Sequence, residues 1–226
     1  MGFNEALQNM ALKAVKHVKD SSIVGLGSGS TVAVFVRTLA KHVKEGKMDV
    51  KVIPTSLQIK LEAETLGFKL ADDTLIPSTD IMFDGADQID SKFNMIKGGG
   101  GALLREKVLI RASKQTVILA DESKYVDVLN RAVPIEVLPY ARTYVYNELK
   151  KMGAEPKIRS LDKGYPFVTE NGNLILDTSF GSIKDVAKLE FELKNIAGVM
   201  EVGLFSKHAD QYYKAKKNGT VELLTP

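Results

Sequence analysis

Two aspartates, a lysine and a glutamate surround a run of four glycines in the segment FDGADQIDSKFNMIKGGGGALLREK, residues 83–107. The charged side chains that could move protons there are Asp84, Asp87, Lys97 and Glu106. Glycine loses more conformational entropy on ordering than any other residue, so such a run is costly unless something must approach the backbone closely. Consecutive main-chain N–H groups in such a nest can bind a developing oxyanion. The segment is therefore a candidate site for proton transfer by carboxylates.

A structural interpretation of the same segment is also open. Asp87 could cap a helix, Lys97 and Glu106 could form a surface ion pair, and the glycines could be a hinge. Flexible linkers are rich in serine and other polar residues. This run instead has apolar residues on both sides: Met95, Ile96, Leu103 and Leu104. A glycine run anchored in this way is better interpreted as a shaped surface.

A second glycine loop, IVGLGSGST, follows an earlier strand-like run. Glycines alternate with leucine and hydroxyl residues in it: Gly25, Gly27, Ser28, Gly29, Ser30 and Thr31. A loop between a strand and a helix favours anion binding, because the helix N-terminus offers unpaired N–H groups and a positive dipole end. The dinucleotide fingerprint would need a glycine in place of Ser30, and the phosphate loop of nucleotide hydrolases would need a lysine that is absent. The loop indicates a small phosphate or carboxylate, with a tight serine-capped turn as the alternative.

Composition excludes several other chemistries. The chain has no cysteine, so disulfides and thiolate catalysis are excluded. Its three histidines, His17, His42 and His208, lie on predicted helices or in a lysine-rich segment, and no two have metal-ligand spacing. A serine triad is weakly supported, because the G-x-S-x-G pattern lacks its second glycine. We expect no metal site, so any acid–base work falls to the carboxylates and Lys97.

Charge and hydropathy also limit the partners. The formal net charge is +3 over 226 residues, and only KAKKNG near the C-terminus is locally basic. No recognised motif or basic stripe supports nucleic-acid binding, and no run is long enough to span a bilayer. The N-terminal segment lacks the apolar h-region and cleavage site of a signal peptide. We expect a cytoplasmic protein that binds a small molecule, with no nucleic acid and no membrane.

Strand-like and helix-like patterns alternate through the first half of the chain. The strand-like runs are IVGLG, DVKVIP, DIMFDGAD and QTVILADES, and one of the helices between them has Ser56 as its N-cap and Gly67 as its stop. Such alternation implies a parallel sheet covered on both faces. DIMFDGAD then delivers Asp84 and Asp87 to the carboxyl edge of the sheet, where open α/β sheets bind ligands.

From about Val133 the order changes to strand, helix, strand, strand, helix, strand, with a turn at ENGN making the central hairpin. This is the ferredoxin-like split βαβ order. We therefore predict the α/β class: a Rossmann-like parallel-sheet catalytic domain over residues 1–131 and 206–226, with an inserted smaller ferredoxin-like α+β domain over residues 132–205. The closing TVELLTP is predicted to add an edge strand to the first domain.

Four motifs occur in an order and spacing that resemble one known family: GLGSGST, DGADQID, KGGGGALLREK and ADESK. They resemble the type A ribose-5-phosphate isomerases, and the resemblance covers essentially the whole chain. That family interconverts ribose 5-phosphate and ribulose 5-phosphate without a metal or organic cofactor. The resemblance implies an aldose–ketose isomerase of the pentose phosphate pathway that forms a homodimer or homotetramer.

The resemblance also implies roles for individual residues. Glu106 matches the catalytic base, and Asp84 and Asp87 match the carboxylates that bind the sugar hydroxyls and assist ring opening and proton movement. Lys97 matches the lysine at the reacting oxygens. The remaining matched positions are those of substrate-binding residues: Ser28, Gly29, Ser30, Thr31, Gly85, Ala86, Gly98, Gly99, Gly100 and Lys124.

The sequence departs from the family's pattern in three places. Ser28 replaces the usual threonine and keeps a hydroxyl, and Gln88 stands where an acidic residue is common, which reduces local charge. Many members carry a lysine early in the first helix that helps to bind phosphate. Leu7 and Gln8 stand near that place here, and Lys13 is only a loose substitute.

Two other functions fit parts of the pattern. A non-catalytic sugar-phosphate sensor would be expected to carry a DNA-binding module, whereas this sequence starts with the enzyme-like pattern. It would also have little reason to retain both Glu106 and Lys97. An acyl-CoA transferase-like enzyme has related glycine loops and a nucleophilic glutamate that forms a thioester. The residues and the resemblance converge on the isomerase, with Glu106 taking the C2 proton and returning it to C1.

Overall fold

A computed structural model of the chain describes residues 3–72 and 78–226. The α-helices of these residues, α1 to α6 in order, span Phe3–Ala14, Gly29–Gly46, Leu57–Thr65, Leu103–Ala112, Arg142–Lys151 and Val186–Lys194. The strands, β1 to β14 in order, span Ile23–Leu26, Lys51–Pro54, Lys69–Leu70, Ile81–Gly85, Gln88–Ile89, Met95–Ile96, Thr116–Asp121, Val133–Val137, Glu155–Ile158, Leu174–Ser179, Val199–Val202, Leu204–Phe205, Gln211–Ala215 and Val221–Leu224. Short 3₁₀ segments lie at Val15–His17, Glu122–Lys124, Pro139–Ala141 and Asp162–Gly164.

These elements form two compact units, each with its own hydrophobic core. Unit 1 takes in the described residues of Met1–Ala86, Arg105–Lys124 and Ala209–Pro226. Unit 2 takes in Asp87–Leu104 and Tyr125–His208. The domain boundaries at 131/132 and 205/206 stay a prediction.

Unit 1 is built on a seven-stranded sheet in the order β14-β13-β7-β4-β1-β2-β3. All neighbouring strands are parallel except β13 and β14, which pair antiparallel at the edge. The predicted parallel sheet and the predicted edge strand at TVELLTP are therefore confirmed. The strand order reverses at β1, because β2 and β3 lie on one side of it and β4 and β7 lie on the other.

Helix α2 shows how the helices cover this sheet. Its buried residues include Val32, Phe35, Val36 and Leu39, the spacing of one helix face. The ring of Phe35 stacks on that of Phe83 in β4, with the centroids 4.1 Å apart. Apolar contacts of this kind hold the first turn of α2 in a fixed place at the end of β1.

Helix α3 has the boundaries that its sequence predicts. The Ser56 Oγ accepts a hydrogen bond from the Ile59 N–H at 3.3 Å, which caps the helix N-terminus. Gly67 follows the helix with a φ of +84°, a left-handed conformation that favours glycine. Both capping predictions are confirmed.

Asp80, just before β4, ties together the starts of three strands. Its carboxylate accepts the Ile23 N–H of β1 at 2.9 Å and the Lys114 ammonium, just before β7, at 2.8 Å. The backbone hydrogen bond from Ile23, and then Lys114, lower the pKa of Asp80 below its ordinary value. Because the folded-state pKa is lowered, this stabilisation is present above the unfolded-state pKa of about 3.9 and is lost as the pH falls through the folded-state value.

We expect Asp80→Asn to lower the free energy of unfolding at neutral pH by about 1 kcal/mol, the net worth of such a hydrogen bond with a screened surface ion pair. Urea unfolding of the variant and the wild type should converge as the pH falls below about 3.9. Asp162→Asn, at an exposed carboxylate, is the control and should show no such pH-dependent difference. A difference for Asp80→Asn that persists unchanged in acid would contradict the assignment.

Unit 2 contains a four-stranded antiparallel sheet in the order β11-β8-β10-β9. Counted from β8, this is the order 4-1-3-2 with α5 after the first strand and α6 after the third. The predicted ferredoxin-like strand and helix order is confirmed. A separate small sheet of β12, β6 and β5 also belongs to unit 2.

The predicted central hairpin is wrong in one respect. A turn does form at ENGN, where Thr169 N–H donates to the Asn173 carbonyl at 2.8 Å. However, β10 pairs with β9, and residues 159–173 lie between them. This connection is long because it contains two successive turns. Pro166 has no N–H to donate and Gly164 has a φ of +80°, so a continuous strand ends before the ENGN turn.

A buried carboxylate fixes the second of these turns. Glu136, in β8, is fully buried, and its Oε1 accepts three side-chain hydrogen bonds. The donors are Thr169 Oγ1 at 2.8 Å, Asn171 Nδ2 at 3.0 Å and Asn173 Nδ2 at 2.9 Å. Residues of the turn itself therefore satisfy one oxygen of this buried carboxyl group, Oε1.

Candidate functional site

The candidate site in unit 1 lies at the carboxyl ends of β1, β4 and β7, which are neighbours in the sheet. This is the side of the sheet, and the point of reversal in strand order, where open α/β folds bind ligands. The glycine loop follows β1, Asp84 is the last residue but one of β4, and the segment with Lys124 follows β7. The topology therefore brings these separately predicted residues to one edge of the sheet.

The glycine loop leads directly into the N-terminus of α2. Gly29 begins the helix with a φ of +85°, which explains why glycine is needed there. Ser30 is exposed, and Ser28, Gly29 and Thr31 are half-buried, so an anion can reach the loop. Ser28 stands in the N-cap position but its side chain makes no cap hydrogen bond. The first turn of the helix therefore keeps N–H donors for a ligand.

Ser28 uses its hydroxyl to contact Glu106 instead. Its Oγ donates to Glu106 Oε1 at 2.5 Å, across 78 residues of sequence. Glu106 lies in the first turn of α4 and is only 2% exposed. The predicted base and the predicted anion loop are thus in direct contact, and the tight-turn alternative does not account for this use of the hydroxyl.

The closeness of α4 to the sheet depends on Gly25 in β1. A Cβ added at Gly25 would lie 3.0 Å from the Leu109 side chain of α4 and 3.1 Å from Met82 of β4. A side chain at this position would therefore crowd both neighbours. The absence of a Cβ at Gly25 allows Leu109 of α4 to pack directly on β1.

Asp84 is fully buried, and its Oδ1 accepts the N–H of Gly85 at 2.7 Å. Gly27, in the loop on the neighbouring strand, leaves the space that this carboxylate occupies, since an added Cβ would overlap Asp84 Oδ1 and Cγ. The N–H of Gly27 also donates to the Phe83 carbonyl at 2.8 Å. The second glycine of the loop is thus required by the packing of Asp84.

The remaining predicted residues of unit 1 follow Asp84 in the sequence. Gly85 and Ala86 continue from it and are half-buried. Lys124, at the end of a 3₁₀ turn after β7, is also half-buried. A half-buried lysine beside the strand of the carboxylate can extend its ammonium to a ligand while its stem stays packed.

Unit 2 contains the other part of the predicted site. The Asp87 Oδ2 accepts the Gly99 N–H at 2.7 Å, so Asp87 closes the glycine run into a compact loop. Gly98 has a φ of +102°, and the Gly101 N–H donates to its carbonyl at 3.0 Å. Within the described part of the chain, the N–H groups of Gly98 and Gly100 make no hydrogen bond. The nest therefore offers these two donors, while Gly99 is already engaged.

Lys97, which precedes the nest, is 2% exposed. Its N–H donates to the Gly203 carbonyl at 2.9 Å, and its ammonium lies 5.6 Å from the centroid of the Phe205 ring. The aromatic ring and the neighbouring strand hold a lysine stem that is otherwise long and flexible. The surface ion pair of the structural interpretation does not fit a lysine buried to this degree.

Gln88, the departure from the family's pattern, has a structural role. Its Nε2 donates to Asn130 Oδ1 at 2.7 Å, and its Oε1 accepts the N–H groups of Asn130 at 2.9 Å and Arg131 at 3.1 Å. A carboxylate at this place could not donate the first of these bonds. The side-chain amide of Gln88 thus ties the chain next to Asp87 to residues 130 and 131.

Sequence reasoning missed three residues that hold the glycine loop: Arg159, Phe167 and Asp177. Arg159 Nη1 donates to the carbonyls of Gly98 at 2.8 Å and Gly99 at 3.1 Å. No local motif marks such an arginine, because the loop lies about 60 residues earlier in the chain. Only the alternation of side chains along β9, continued to the residue after it, and along β10 could have placed Arg159 and Asp177 on the same face.

The lysine considered as a substitute for phosphate binding has another contact. Lys13 Nζ, in α1, donates to the Val221 carbonyl of β14 at 3.2 Å. Gln8 donates to Thr38 Oγ1 at 2.9 Å and so joins α1 to α2. These two side chains therefore link elements of unit 1.

The described residues contain no group of three or more histidine, cysteine, aspartate or glutamate side chains that could hold a metal ion. No helix among them is long and apolar enough to cross a membrane.

The fold and this arrangement define a class of protein: an open α/β protein with a candidate site for a small anion beside buried carboxylates. Residues 51–219 match the family model of ribose 5-phosphate isomerase A, also called phosphoriboisomerase A. The ribose-5-phosphate isomerase A of Korarchaeum cryptofilum is 47% identical over 207 residues, which cover 89% of each chain. That of Pyrococcus abyssi is 38% identical and covers 99% of each chain.

A solved structure leads to the same result. The ribose 5-phosphate isomerase A of Methanocaldococcus jannaschii superposes with a TM-score of 0.93 at 39% identity, covering 99% of each chain. A D-ribose-5-phosphate isomerase in complex with phospho-erythronic acid superposes with a TM-score of 0.94 at 36% identity. The chain belongs to the ribose 5-phosphate isomerase A family, and it is an enzyme.

Proposed function

We propose that this enzyme interconverts D-ribose 5-phosphate and D-ribulose 5-phosphate through an enediolate, as an aldose–ketose isomerase of the non-oxidative pentose phosphate pathway. The observation on which this depends most is the buried Glu106 in contact with Ser28 of the anion loop. This contact supports the proposal, because it would put a base for the sugar next to the loop that would hold its phosphate.

The reaction needs a base that moves one proton between adjacent carbons. Glu106 takes the C2 proton of the open-chain aldose and returns it to C1, so the carboxylate is regenerated in each turnover. Ser28 holds Oε1, which fixes the orientation of the carboxylate toward its target. A positioned base of this kind contributes typically 10²–10⁴-fold to the rate.

The hydroxyl protons and the enediolate charge need other groups. Asp84 or Asp87 shuttles the hydroxyl proton between the two oxygens and helps to open the furanose ring. Lys97 and the main-chain donors of the glycine run stabilise the negative charge. Removing one donor of this type from an enzyme costs typically about 3 kcal/mol of transition-state stabilisation.

The phosphate is bound by the loop from Ser28 to Thr31 and the N-terminus of α2, with Lys124 as a further contact. Fixing the phosphate holds the reacting carbons at the base and removes their translational freedom. The ligand named for one relative, phospho-erythronic acid, supports this assignment. Such an acid combines a phosphate with a planar carboxylate, as the phosphorylated enediolate combines a phosphate with two planar oxygens.

The wider assignments follow the family. We infer that the enzyme uses no metal and no organic cofactor, works in the cytoplasm as a homodimer or homotetramer, and binds neither nucleic acid nor membrane. Gly29, Gly85, Ala86, Gly98 and Gly99 complete the proposed substrate site as backbone that shapes it.

Proton exchange in heavy water tests the function. Wild-type enzyme incubated in D₂O with ribose 5-phosphate and a chelator should form ribulose 5-phosphate and incorporate deuterium at the exchanging carbon, as followed by NMR. No turnover would refute the isomerase and favour a sensor. A thioester trapped on the protein after incubation with an acyl-CoA would instead favour a transferase.

A further inference from the structure

The carbonyls of Gly98 and Gly99 both accept hydrogen bonds from one guanidinium nitrogen, Nη1 of Arg159, at 2.8 and 3.1 Å. Each carbonyl shares a planar peptide group with the next N–H, and in a trans peptide the two point in opposite directions. Arg159 therefore fixes the directions of the Gly99 and Gly100 N–H groups. The first donates to Asp87, and the second makes no hydrogen bond in the part of the chain that the structure describes.

Arg159 is itself held from two further sides. Its Nε and Nη2 donate to the two carboxylate oxygens of Asp177 at 2.8 and 2.5 Å, a bidentate pair. The guanidinium carbon lies 5.7 Å from the centroid of the Phe167 ring, and that ring packs where a Cβ on Gly101 would be. The side chain is 14% exposed. The Nε, Nη1 and Nη2 groups of Arg159 thus all donate to protein acceptors, and Nη1 is directed at the glycine loop.

The glycine run needs such a support. Four adjacent glycines have more backbone freedom than any other sequence of that length, and a donor that must reorganise during the reaction loses its electrostatic advantage. A positive charge on the carbonyl side also polarises each peptide group, which strengthens the opposite N–H as a donor. Asp87, Gly99, Arg131, Arg159 and Asp177 line one cleft of roughly 400 Å³, so the supported loop faces open space.

We propose that Arg159 is a positioning residue for the isomerase reaction, which acts by holding the glycine nest so that the Gly100 N–H is aimed and polarised for the enediolate oxygen. The proposal rests on the proposed function. It assigns no contact with substrate to Arg159, and Asp177 and Phe167 act by holding the guanidinium.

Arg159→Met tests the proposal, because methionine keeps an unbranched stem and removes every donor. We expect kcat to fall by about 10–100-fold, less than the full loss of an oxyanion donor. KM for ribose 5-phosphate and competitive inhibition by inorganic phosphate should stay within about threefold, since the phosphate loop is untouched. Lys157→Met removes an exposed cation from β9, two residues before Arg159, and should leave both constants unchanged.

Arg159→Lys is a second variant, and it tests the positioning role of Arg159 even if Arg159→Met does not fold. An ammonium cannot hold two carbonyls and a carboxylate in one plane, so kcat should fall by about 3–10-fold with KM maintained. A wild-type kcat in Arg159→Lys, or in a folded Arg159→Met, would overturn the proposal. A rise in KM with kcat unchanged would also overturn it, since that result indicates substrate binding. An inactive wild-type enzyme would instead refute the isomerase function itself.

Discussion

Glu106→Gln is expected to lower kcat for ribose 5-phosphate isomerisation by about 10³-fold, the middle of the range for loss of a general base. Glutamine has nearly the same shape and can still accept the Ser28 hydroxyl, so the fold and the phosphate loop should be preserved. KM should therefore change little. The rate of ketose formation and of deuterium exchange in D₂O should fall together, because both need the same proton transfer.

Glu64→Gln, at an exposed glutamate of α3, removes a carboxylate from unit 1 without touching the site and should retain full activity. Thermal unfolding of both variants should match that of the wild type within a few degrees. Near-wild-type turnover in Glu106→Gln would refute the assignment of the base. Loss of isomerisation with C2 exchange retained would show that another group removes the proton.

Gly27→Ala is expected to have the second largest effect, because the added methyl group would occupy the place of the Asp84 carboxylate. Asp84 is fully buried, so it cannot move aside without disturbing its neighbours. Overpacking of this kind costs typically 1–3 kcal/mol, and we expect the free energy of unfolding to fall by about 3 kcal/mol. A displacement of about 1 Å in a positioned group can reduce turnover about 10²-fold.

Gly46→Ala, at the end of α2, is the matched control. A Cβ there would meet only the flexible Met48 side chain at 3.1 Å. Because alanine favours a helix more than glycine does, this variant should be as stable as the wild type or slightly more so. If urea unfolding and kcat of Gly27→Ala were both unchanged, the inference that Gly27 is required by the packing of Asp84 would be contradicted.

Much of the fold could be predicted because it depends on local patterns. The buried runs of β1, β4 and β7 are continuous and apolar, and glycine loops and caps separate them from helices. Ser56 and Gly67 mark helix ends through hydrogen bonds and φ angles that involve only a few neighbouring residues. Such signals are complete within a short window of sequence.

The site could be predicted only in part. Asp84, Lys97 and Glu106 are predicted as site residues because their types can move protons and their motifs resemble those of a known family. The contact of Ser28 with Glu106 joins residues 78 positions apart, and nothing in either segment indicates its partner. For the same reason Gly27 was interpreted as a loop glycine, whereas its packing against a carboxylate from another strand is what requires it.

The error in unit 2 has a similar cause. ENGN is a strong turn signal and the turn is present, but Pro166 and Gly164 introduce an earlier turn that lengthens the connection. Arg159 directly follows β9, and its local sequence is that of an ordinary polar residue at the end of a strand. Its importance depends on the position of the glycine loop, which the local sequence does not contain.

The buried Glu136 side chain beneath the 168–174 turn limits how freely that segment can vary. Its Oε1 receives three side-chain donors from residues 169, 171 and 173, which alternate along the chain. A shift by one position would turn all three donors away and leave Oε1 buried without a hydrogen bond. The register of the 168–174 turn relative to β8 is therefore fixed by these hydrogen bonds. Insertions or deletions in the β9–β10 connection should be tolerated only before Phe167.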